Sequence, residues 1–318
     1  MMIVHSDIEK LRGDPAPQRE AQAALERARR AWREAAGARL LAELESYGNG
    51  ADLSDCPALG DLIAGRTAPV EAMLSSLLGV LVDHPLGHVP LRHHLTKGIG
   101  LLQLAEVGRA ALTLVVHEPN ARRAAPQSVS FTDAERHELV LAGEARVRLF
   151  DWCGQGDTPP TVRKHMLRRG TKLAFGGFGG AKLVDEVAQT LVILRLSRVA
   201  VQPKPGVEIR AGDGAILHRA AGDRDESCRE MAMALLTAME RTDAAPHLAR
   251  LARSGTPESR WQALRHCLAL DTATGFRELC AVADDRDDPL APFANSLRSQ
   301  LLAAHPALQG KEKVPCRA

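Results

Sequence analysis

The sequence predicts an α+β protein with helices at both ends and an antiparallel β domain between them. Apolar side chains recur at helical spacing in the first 90 residues and again from residue 223 onward. Between about residues 95 and 218 they come instead in short runs and alternations bounded by turn formers. No long helical pattern separates most of these runs, so the crossover helices of a parallel sheet are missing. We therefore divide the chain into residues 1–90, 91–222 and 223–318.

The composition of the 318 residues excludes several classes of partner. Hydrophobic residues make up 45% of the chain and charged residues 25%, so it can bury a core. The 41 Lys and Arg against 39 Asp and Glu leave a net charge of +2, too small a positive field for duplex binding. Six Phe, three Trp and one Tyr are too few rings for a base-stacking platform. We expect no nucleic-acid partner.

Cysteine usage and the absence of long apolar runs bear on location. The six cysteines form no CxxC pair and no regular spacing, which is typical of a reducing compartment. The first ten residues show no cationic region followed by an apolar run, and no stretch approaches the length of a membrane span. We expect a cytoplasmic protein without a membrane partner. Cys153 is the thiol most open to exposure.

Two helices are predicted in the N-terminal part. Residues 17–47, rich in Ala, Leu, Arg and Glu and free of internal Pro, predict one long helix closed by Gly48-Asn49-Gly50. A second helix begins after Thr67, with Pro69 in its first turn, and extends toward Asp83. Helical spacing assigns its buried face to Val70, Leu74, Leu77, Leu78 and Leu81.

Strand patterns fill the middle of the chain. The apolar runs that predict strands span residues 100–104, 111–116, 129–131, 137–141, 145–150, 190–196 and 215–217. They favour a sandwich or a barrel. Five of the ten aromatic rings lie between residues 131 and 178, which is where we expect the walls of any pocket.

The last third reads as paired helices that repeat. Five helical segments are predicted, at residues 226–241, 244–253, 258–270, 274–284 and 289–304. Leu248 and Leu251 correspond to Leu279 and Val282, an offset of 31 residues. Recurrence at this interval resembles a short HEAT-type array, and the resemblance implies a helical surface for a protein partner or a second copy of the chain.

A second resemblance arises in residues 134–145. There, a polar His137-Glu138 step is followed by a short apolar strand and then by Gly143 before another strand. This order resembles the first motif of cupin barrels, with Glu135-x-His137 standing where that family has His-x-His. The resemblance implies a cupin-like β barrel over about 120 residues. Many members of that family bind a divalent metal through histidines and a carboxylate.

Histidines cluster in the same region and predict a metal site. Eight of the twelve lie between residues 84 and 218, mostly beside predicted strands. Neutral imidazole is a common ligand of divalent transition metals. The candidate ligands are His93, His94, His137, Glu138 and His218. Because His137 and Glu138 are adjacent, they face opposite sides of a regular strand, and only a bulge would turn both inward.

The densest basic run predicts an anion-binding loop. It contains Arg163, Lys164, Arg168 and Arg169, lies beside the glycines of residues 176–180, and has Phe175 next to it. The glycine-rich segment is not a P-loop, since Ala181 and Leu183 flank its lysine where Gly and Ser or Thr are needed. A solvated surface is the alternative interpretation of such a charged run.

Two functions stay open on the sequence. In the first, the β domain binds a small molecule at its mouth, with a divalent transition metal as candidate cofactor and with catalysis left undecided. In the second, the chain is a non-catalytic interaction protein that uses its C-terminal helices to bind a protein partner or a second copy of itself. Neither interpretation identifies a substrate.

Overall fold

The structure, a computed structural model, describes residues 14–96, 98–119, 126–152, 159–222 and 224–310. Helices precede and follow a set of antiparallel strands, so the predicted α+β class is confirmed. The chain forms two compact units, Met1–Arg219 and Ala220–Ala318. The three-part division drawn from the sequence stays a prediction about domains. In the part of the chain that is described, no helix has the length and apolar character needed to cross a membrane.

Four α-helices come first among the described residues of the first unit. They are α1 (Ala16–Glu34), α2 (Ala38–Gly48), α3 (Pro57–Ala64) and α4 (Ala68–Asp83). The prediction of one helix over residues 17–47 is therefore wrong. The helix breaks because Gly37 folds onto the Trp32 ring, where an added Cβ would lie 2.7 Å from a ring carbon. Burial of that indole, with its Nε1 donating to the Pro69 carbonyl at 2.7 Å, stabilises the break.

The second predicted helix is present as α4, with the predicted extent, but its buried face differs in part from the predicted one. Val70 and Leu77 are buried as predicted, and Met73 joins them. Leu78, which the spacing assigned to the core, is 61% exposed. The stripe that packs is therefore narrower than the apolar pattern of the sequence.

Ten strands follow among the described residues. Their bounds are β1 (His93–Thr96), β2 (Ile99–Val107), β3 (Ala110–His117), β4 (Ser128–Phe131), β5 (Ala134–Asp151), β6 (Thr161–Arg168), β7 (Lys172–Phe175), β8 (Gly180–Val199), β9 (Gly206–Arg210) and β10 (Ile216–Ala220). One sheet has the order β1-β2-β3-β8-β5-β6, with β7 also paired to β5, and a second has the order β10-β9-β4. The predicted strand runs fall within these elements, except that the run 215–217 begins one residue before β10. Every described pairing is antiparallel.

The long ribbon of β5 and β8 curls back on itself. In its register Glu138 lies opposite Arg195, while Leu149 lies opposite Lys182. Eleven positions of straight strand separate those two rungs by roughly 35 Å. The side chains of Glu138 and Lys182 are nevertheless in contact, so the two halves of the ribbon must face each other. Register shifts between Val140 and Val147 supply the bend.

Gly143 lies at the centre of that bend. Its φ is +85°, a left-handed conformation that glycine adopts without strain. A Cβ at this position would lie 2.2 Å from the carbonyl oxygen of Thr190 on the neighbouring strand. The sequence runs 137–141 and 145–150 predicted two strands. Because the chain bends at Gly143 without ending the strand, both runs belong to the single strand β5.

The two faces of the large sheet bury different cores. One face packs against the N-terminal helices through Leu112, Leu114, Leu194 and Leu196. The other face is enclosed by the curl of the ribbon, and its buried core consists of Val115, Val140, Ala145, Val147, Leu167, Val187, Leu191 and Ile193. We call this second face the inner face. It is the face that carries the candidate site.

The aromatic residues of the β region form core rather than pocket wall. Phe131, Phe150 and Trp152 are buried together where β4 meets the curled ribbon. The Phe131 and Trp152 ring centroids are 5.1 Å apart, and those of Trp152 and Phe178 are 5.9 Å apart. Cys153 lies outside the described residues.

The second unit contains helices α5 (Arg224–Ala238), α6 (Ala245–Leu251), α7 (Pro257–Leu270), α8 (Thr272–Asp284) and α9 (Ala291–Ala304). These match the five predicted segments. Leu248, Leu264 and Leu279 pack in a common core around the buried Phe276. Phe293 on α9, by contrast, is 63% exposed. The HEAT-type repeat itself stays a hypothesis.

Substituting Gly143 tests whether the bend depends on glycine. We expect Gly143→Ala to lower the free energy of unfolding by more than about 2 kcal/mol, because the left-handed φ and the clash with Thr190 add. Gly79→Ala in α4 is the control, since an added Cβ there meets nothing within 4 Å and should stabilise by about 0.5 to 1 kcal/mol. Urea unfolding measures both. Equal effects of the two substitutions would contradict the role given to the bend.

Candidate functional site

A buried carboxylate with two cations forms the centre of the inner face. Glu138 on β5 is 2% exposed. Its Oε1 accepts from Arg195 Nη2 at 2.8 Å and from Nε at 2.9 Å, and its Oε2 is in contact with Lys182 Nζ. Arg195 reaches Glu138 because the two are paired in register, whereas Lys182 reaches it because the ribbon curls. We call Glu138, Lys182 and Arg195 the ion cluster.

A third cation lies next to the ion cluster. Arg136 stands two residues before Glu138 and so shares its face of β5. The guanidinium lies 4.9 Å from the Phe175 ring centroid, and its Nη2 donates to the Gly180 carbonyl at 2.6 Å. Its Nε is buried and has no hydrogen-bond partner among the described residues. An unpaired buried donor costs free energy, which a ligand acceptor can recover.

The inner face is more positive than negative. Arg136, Lys182 and Arg195 carry three positive charges against the two carboxylates of Glu138 and Glu118, so one positive charge is in excess while Lys182 is protonated. His117 adds none at neutral pH, because burial, and then the charges of Lys182 and Arg195, lower its pKa to about 4. The net field there therefore favours an anion.

Burial and charge act in opposite directions on the ion cluster. Burial alone would raise the pKa of Glu138, but the charges of Lys182 and Arg195 hold it below its usual value. Burial lowers the pKa of Lys182, Arg195 and Arg136 lower it further, and Glu138 only partly opposes this. Glu138 therefore stays ionised, and Lys182 gives up its proton more readily than an exposed lysine does.

A cavity of about 370 Å³ opens beside the ion cluster. Its polar wall comprises Lys182, Arg195, His117 and Glu118. The rest of its lining is aliphatic or backbone and includes Ile99, Leu101, Val115, Leu183, Val184 and Val187. The volume lies at the lower end of the range for small-molecule pockets. The arrangement joins a cationic end to an apolar wall.

The predicted metal ligands do not meet in one place. His137 lies on the helix-facing side of β5, where its Nε2 is 2.9 Å from Glu135 Oε1, and Glu138 lies on the inner face. His93 and His94 are exposed on β1, and His218 is exposed on β10 in the other sheet. Both carboxylate oxygens of Glu138 already bind cations. Among the described residues no group of three or more His, Cys, Asp or Glu can hold a metal ion. The residues present do not fit the expected metal.

The helix-facing side has its own polar network. Arg198 on β8 donates to Glu135 at 2.6 Å and, from its Nη1, to the Ala51 carbonyl at 2.7 Å. Its guanidinium lies 4.2 Å from the Tyr47 ring centroid. This network ties the end of α2 to the sheet, so we assign it a structural role.

The basic run lies in a strand, so its prediction as a mobile loop is wrong. Arg163 and Lys164 are part of β6, where Arg163 pairs with Asp151 at 2.9 Å. Arg168, at the end of β6, lies 3.7 Å from Glu144. Arg169 is exposed in the turn that follows. The run is extended because β6 pairs with β5 at the edge of the sheet. Its side chains alternate between the two faces, which directs these cations to solvent and to neighbouring carboxylates.

Lys164 lies on a more open cavity, separate from the ion cluster. This depression of about 840 Å³ is lined by strands β5, β6 and β8 and includes Arg146, Arg148 and His165. Arg148 is held by Asp185 at 2.8 Å and Arg146 is paired with Glu186. Phe175, the fifth predicted ligand residue, is buried against Arg136 instead. Whether any of these five predicted residues binds a ligand stays a prediction.

Four residues of the inner face escaped the sequence analysis, namely His117, Arg136, Lys182 and Arg195. One signal marked Arg195, because it is the single charged residue within the apolar run 191–196. A cation inside a buried strand requires a counter-charge, and that requirement predicts a partner on a neighbouring strand. Lys182 carried no comparable signal, since its contact depends on the curl.

No protein-family model and no curated protein matches the chain. Among solved structures it is similar to the Drosophila melanogaster CENP-C cupin domain, with 17% identity, a TM-score of 0.26, and alignment over 33% of this chain and 74% of that one. It is similar to CapF solved with an inhibitor, with 10% identity, a TM-score of 0.28, and alignment over 41% of this chain and 36% of that one. It is also similar to Lactobacillus farciminis oxalate decarboxylase in a formate complex, with 13% identity, a TM-score of 0.28, and alignment over 41% of this chain and 40% of that one. The chain thus spans well under half of the latter two. Likeness at this level indicates no shared activity.

The low pKa of His117 makes stability depend on pH in a defined window. The unfolded chain protonates His117 below about 6.5, while the folded chain resists protonation down to about 4. The unfolded state therefore binds more protons between these values, and the free energy of unfolding falls as the pH falls. We expect His117→Gln to lose about 2.5 kcal/mol less than the wild type between pH 7.5 and 4.5.

Urea unfolding at both pH values measures this difference. His165→Gln, at an exposed position on β6, is the matched control and should follow the wild type. If the His117→Gln variant and the wild type lose stability in parallel, His117 is not held neutral by the inner face.

Proposed function

We propose that the cavity beside the ion cluster binds a small carboxylate that has an apolar tail. The observation that carries this proposal is that Lys182 and Arg195, which both bind the buried carboxylate of Glu138, line a cavity of about 370 Å³, with the charge of Arg136 close to them. Buried positive charge in excess of negative charge is costly. An anionic ligand offsets that cost by supplying the missing counter-charge.

Arg195 is the residue that receives the ligand carboxylate in this proposal. Its side chain is 27% exposed, while Glu138 and Lys182 are almost fully buried. The guanidinium has five N–H donors, of which Nε–H and one on Nη2 donate to Glu138. The remaining donors can bind a ligand. Charge-assisted hydrogen bonds of this kind are among the strongest that proteins make.

The aliphatic wall selects the rest of the ligand. Ile99 and Leu101 on β2 line the cavity together with Leu183 and Val184 on β8. A short hydrocarbon chain there gains about 0.8 kcal/mol for each buried methylene group. The proposal includes no metal, because the carboxylate that would ligate it is already bound by Lys182 and Arg195.

Binding of pentanoate, with pentan-1-ol as the uncharged analogue, tests this function. We expect the wild type to bind pentanoate more tightly than the alcohol, and Arg195→Met to weaken pentanoate binding tenfold or more, since a hydrogen bond to a charged group contributes about 1.5 to 3 kcal/mol. Ligand-observed NMR titration measures the affinities, and circular dichroism confirms that each variant is folded.

Arg163→Met on the exposed edge of β6 is the control and should bind pentanoate as the wild type does. Equal binding of acid and alcohol, or unchanged binding in Arg195→Met, would refute the anion site.

Self-association through the second unit is the second candidate function. Met231, Leu235 and Met239 recur at four-residue spacing along α5 and its end, and their exposed fractions are 63%, 60% and 55%. Such a stripe on one helix face can be covered by the same stripe of a second copy about a twofold axis. The sequence offered this role for the C-terminal helices.

The mass in solution tests this second function. We expect a dimer by analytical ultracentrifugation, and Leu235→Glu should shift it to monomer because it places charge in the centre of the stripe. Leu217→Glu, at a half-exposed position on β10, is the control and should leave the mass unchanged. A monomeric wild type at all concentrations would remove this candidate.

A further inference from the structure

We propose that Lys182 is a nucleophilic amine that condenses with the carbonyl group of a small oxo acid held in the cavity. This inference rests on the proposed function, because the carboxylate of the oxo acid occupies the anion site at Arg195. It goes further by assigning a covalent step to one side chain. The product is an imine between Lys182 and the ligand.

The placement of Lys182 supports this role. Its side chain is 6% exposed, yet it forms part of the wall of the cavity of about 370 Å³. Its backbone is fixed in β8 by pairing with Leu149 on β5. A ligand whose carboxylate contacts Arg195 therefore brings its remaining atoms to the wall that carries the amine. Holding the two reactants together in this way lowers the entropic cost of the reaction.

The surroundings of Lys182 favour its neutral, nucleophilic form. Glu138 Oε2 is in contact with Nζ and can accept its proton. Burial, together with the nearby charges of Arg195 and Arg136, lowers the pKa of the amine, although Glu138 acts in the opposite direction. An amine with a lowered pKa beside a general base is the arrangement that activates lysine toward carbonyl groups.

The step balances without an oxidant or a reductant. Glu138 takes one proton from the ammonium group, and the freed lone pair of Nζ attacks the carbonyl carbon. A C–N bond forms, the C=O π bond breaks, and the oxygen becomes a hydroxyl group by taking a second proton from Nζ. Loss of that hydroxyl with the proton held by Glu138 releases water and leaves a protonated C=N bond. Ammonium plus carbonyl thus gives protonated imine plus water.

The chain supplies its own comparison for this chemistry. It contains eight lysines, of which Lys164, Lys172 and Lys204 are described and exposed. Among the described lysines, Lys182 is the one that contacts a buried carboxylate. General reactivity of surface amines would modify the exposed lysines, whereas the proposed site would modify Lys182 first.

Trapping on the wild-type protein tests the proposal. Incubation with pyruvate and sodium cyanoborohydride reduces any imine to a stable amine, and peptide mass mapping locates it. We expect modification at Lys182 to exceed that at Lys164 at least tenfold, and propanoate to suppress it by competing for the anion site. Acetone, which has the carbonyl but no carboxylate, should label Lys182 much less than pyruvate does.

Two variants sharpen the result. Lys182→Arg keeps the positive charge beside Glu138 and should lose the modification, while Lys164→Arg should retain it. Labelling spread evenly over the exposed lysines of the wild type would overturn the proposal, whether or not the Lys182→Arg variant folds. If NMR shows Arg195-dependent binding of pyruvate and no label at Lys182, the covalent step fails and the anion site stands. If pyruvate does not bind at all, both fail.

Discussion

The contact between Glu138 and Lys182 exists because a strand ribbon bends back on itself, and most of the first unit depends on that bend. Arg195 approaches Glu138 from the near half of the ribbon and Lys182 from the far half, so the carboxylate links both halves. The bend encloses the inner face and creates the cavity beside it. A charged link of this kind is expensive to desolvate, which explains why each oxygen of Glu138 has its own cation.

The sheet keeps two charge networks apart. Side chains of adjacent residues point to opposite faces of a strand, so His137 joins Glu135 and the helices while Glu138 joins the inner face. The helix-facing network holds α2 through Arg198, which donates to the Ala51 carbonyl and to Glu135. The inner face has one positive charge in excess while Lys182 is protonated. This division is why a chain rich in histidines can present a cationic rather than a metal-binding pocket.

Local pattern predicted the elements, and long-range geometry decided the site. Helical and strand periodicity predicted the elements, because burying one face of a helix or strand requires apolar residues at a regular spacing in the sequence. The break at Gly37 was missed, since it comes from the packing of Trp32 under the following turn. The pairing of Glu138 with Lys182 could not be predicted, because it needs the curvature set at Gly143. Arg195 alone, as a cation within an apolar run, marked the inner face in the sequence.

The two ends of the large sheet differ in how they meet other chains. Strand β6 carries Arg163, Lys164 and Arg168 on its exposed length, and such cations oppose the addition of a foreign strand to an open edge. Strand β1, at the other end, consists of His93–Thr96 and has no Lys, Arg, Asp or Glu of its own. The basic run thus disfavours strand addition at one edge of the large sheet, so edge-to-edge association through that sheet is expected at β1.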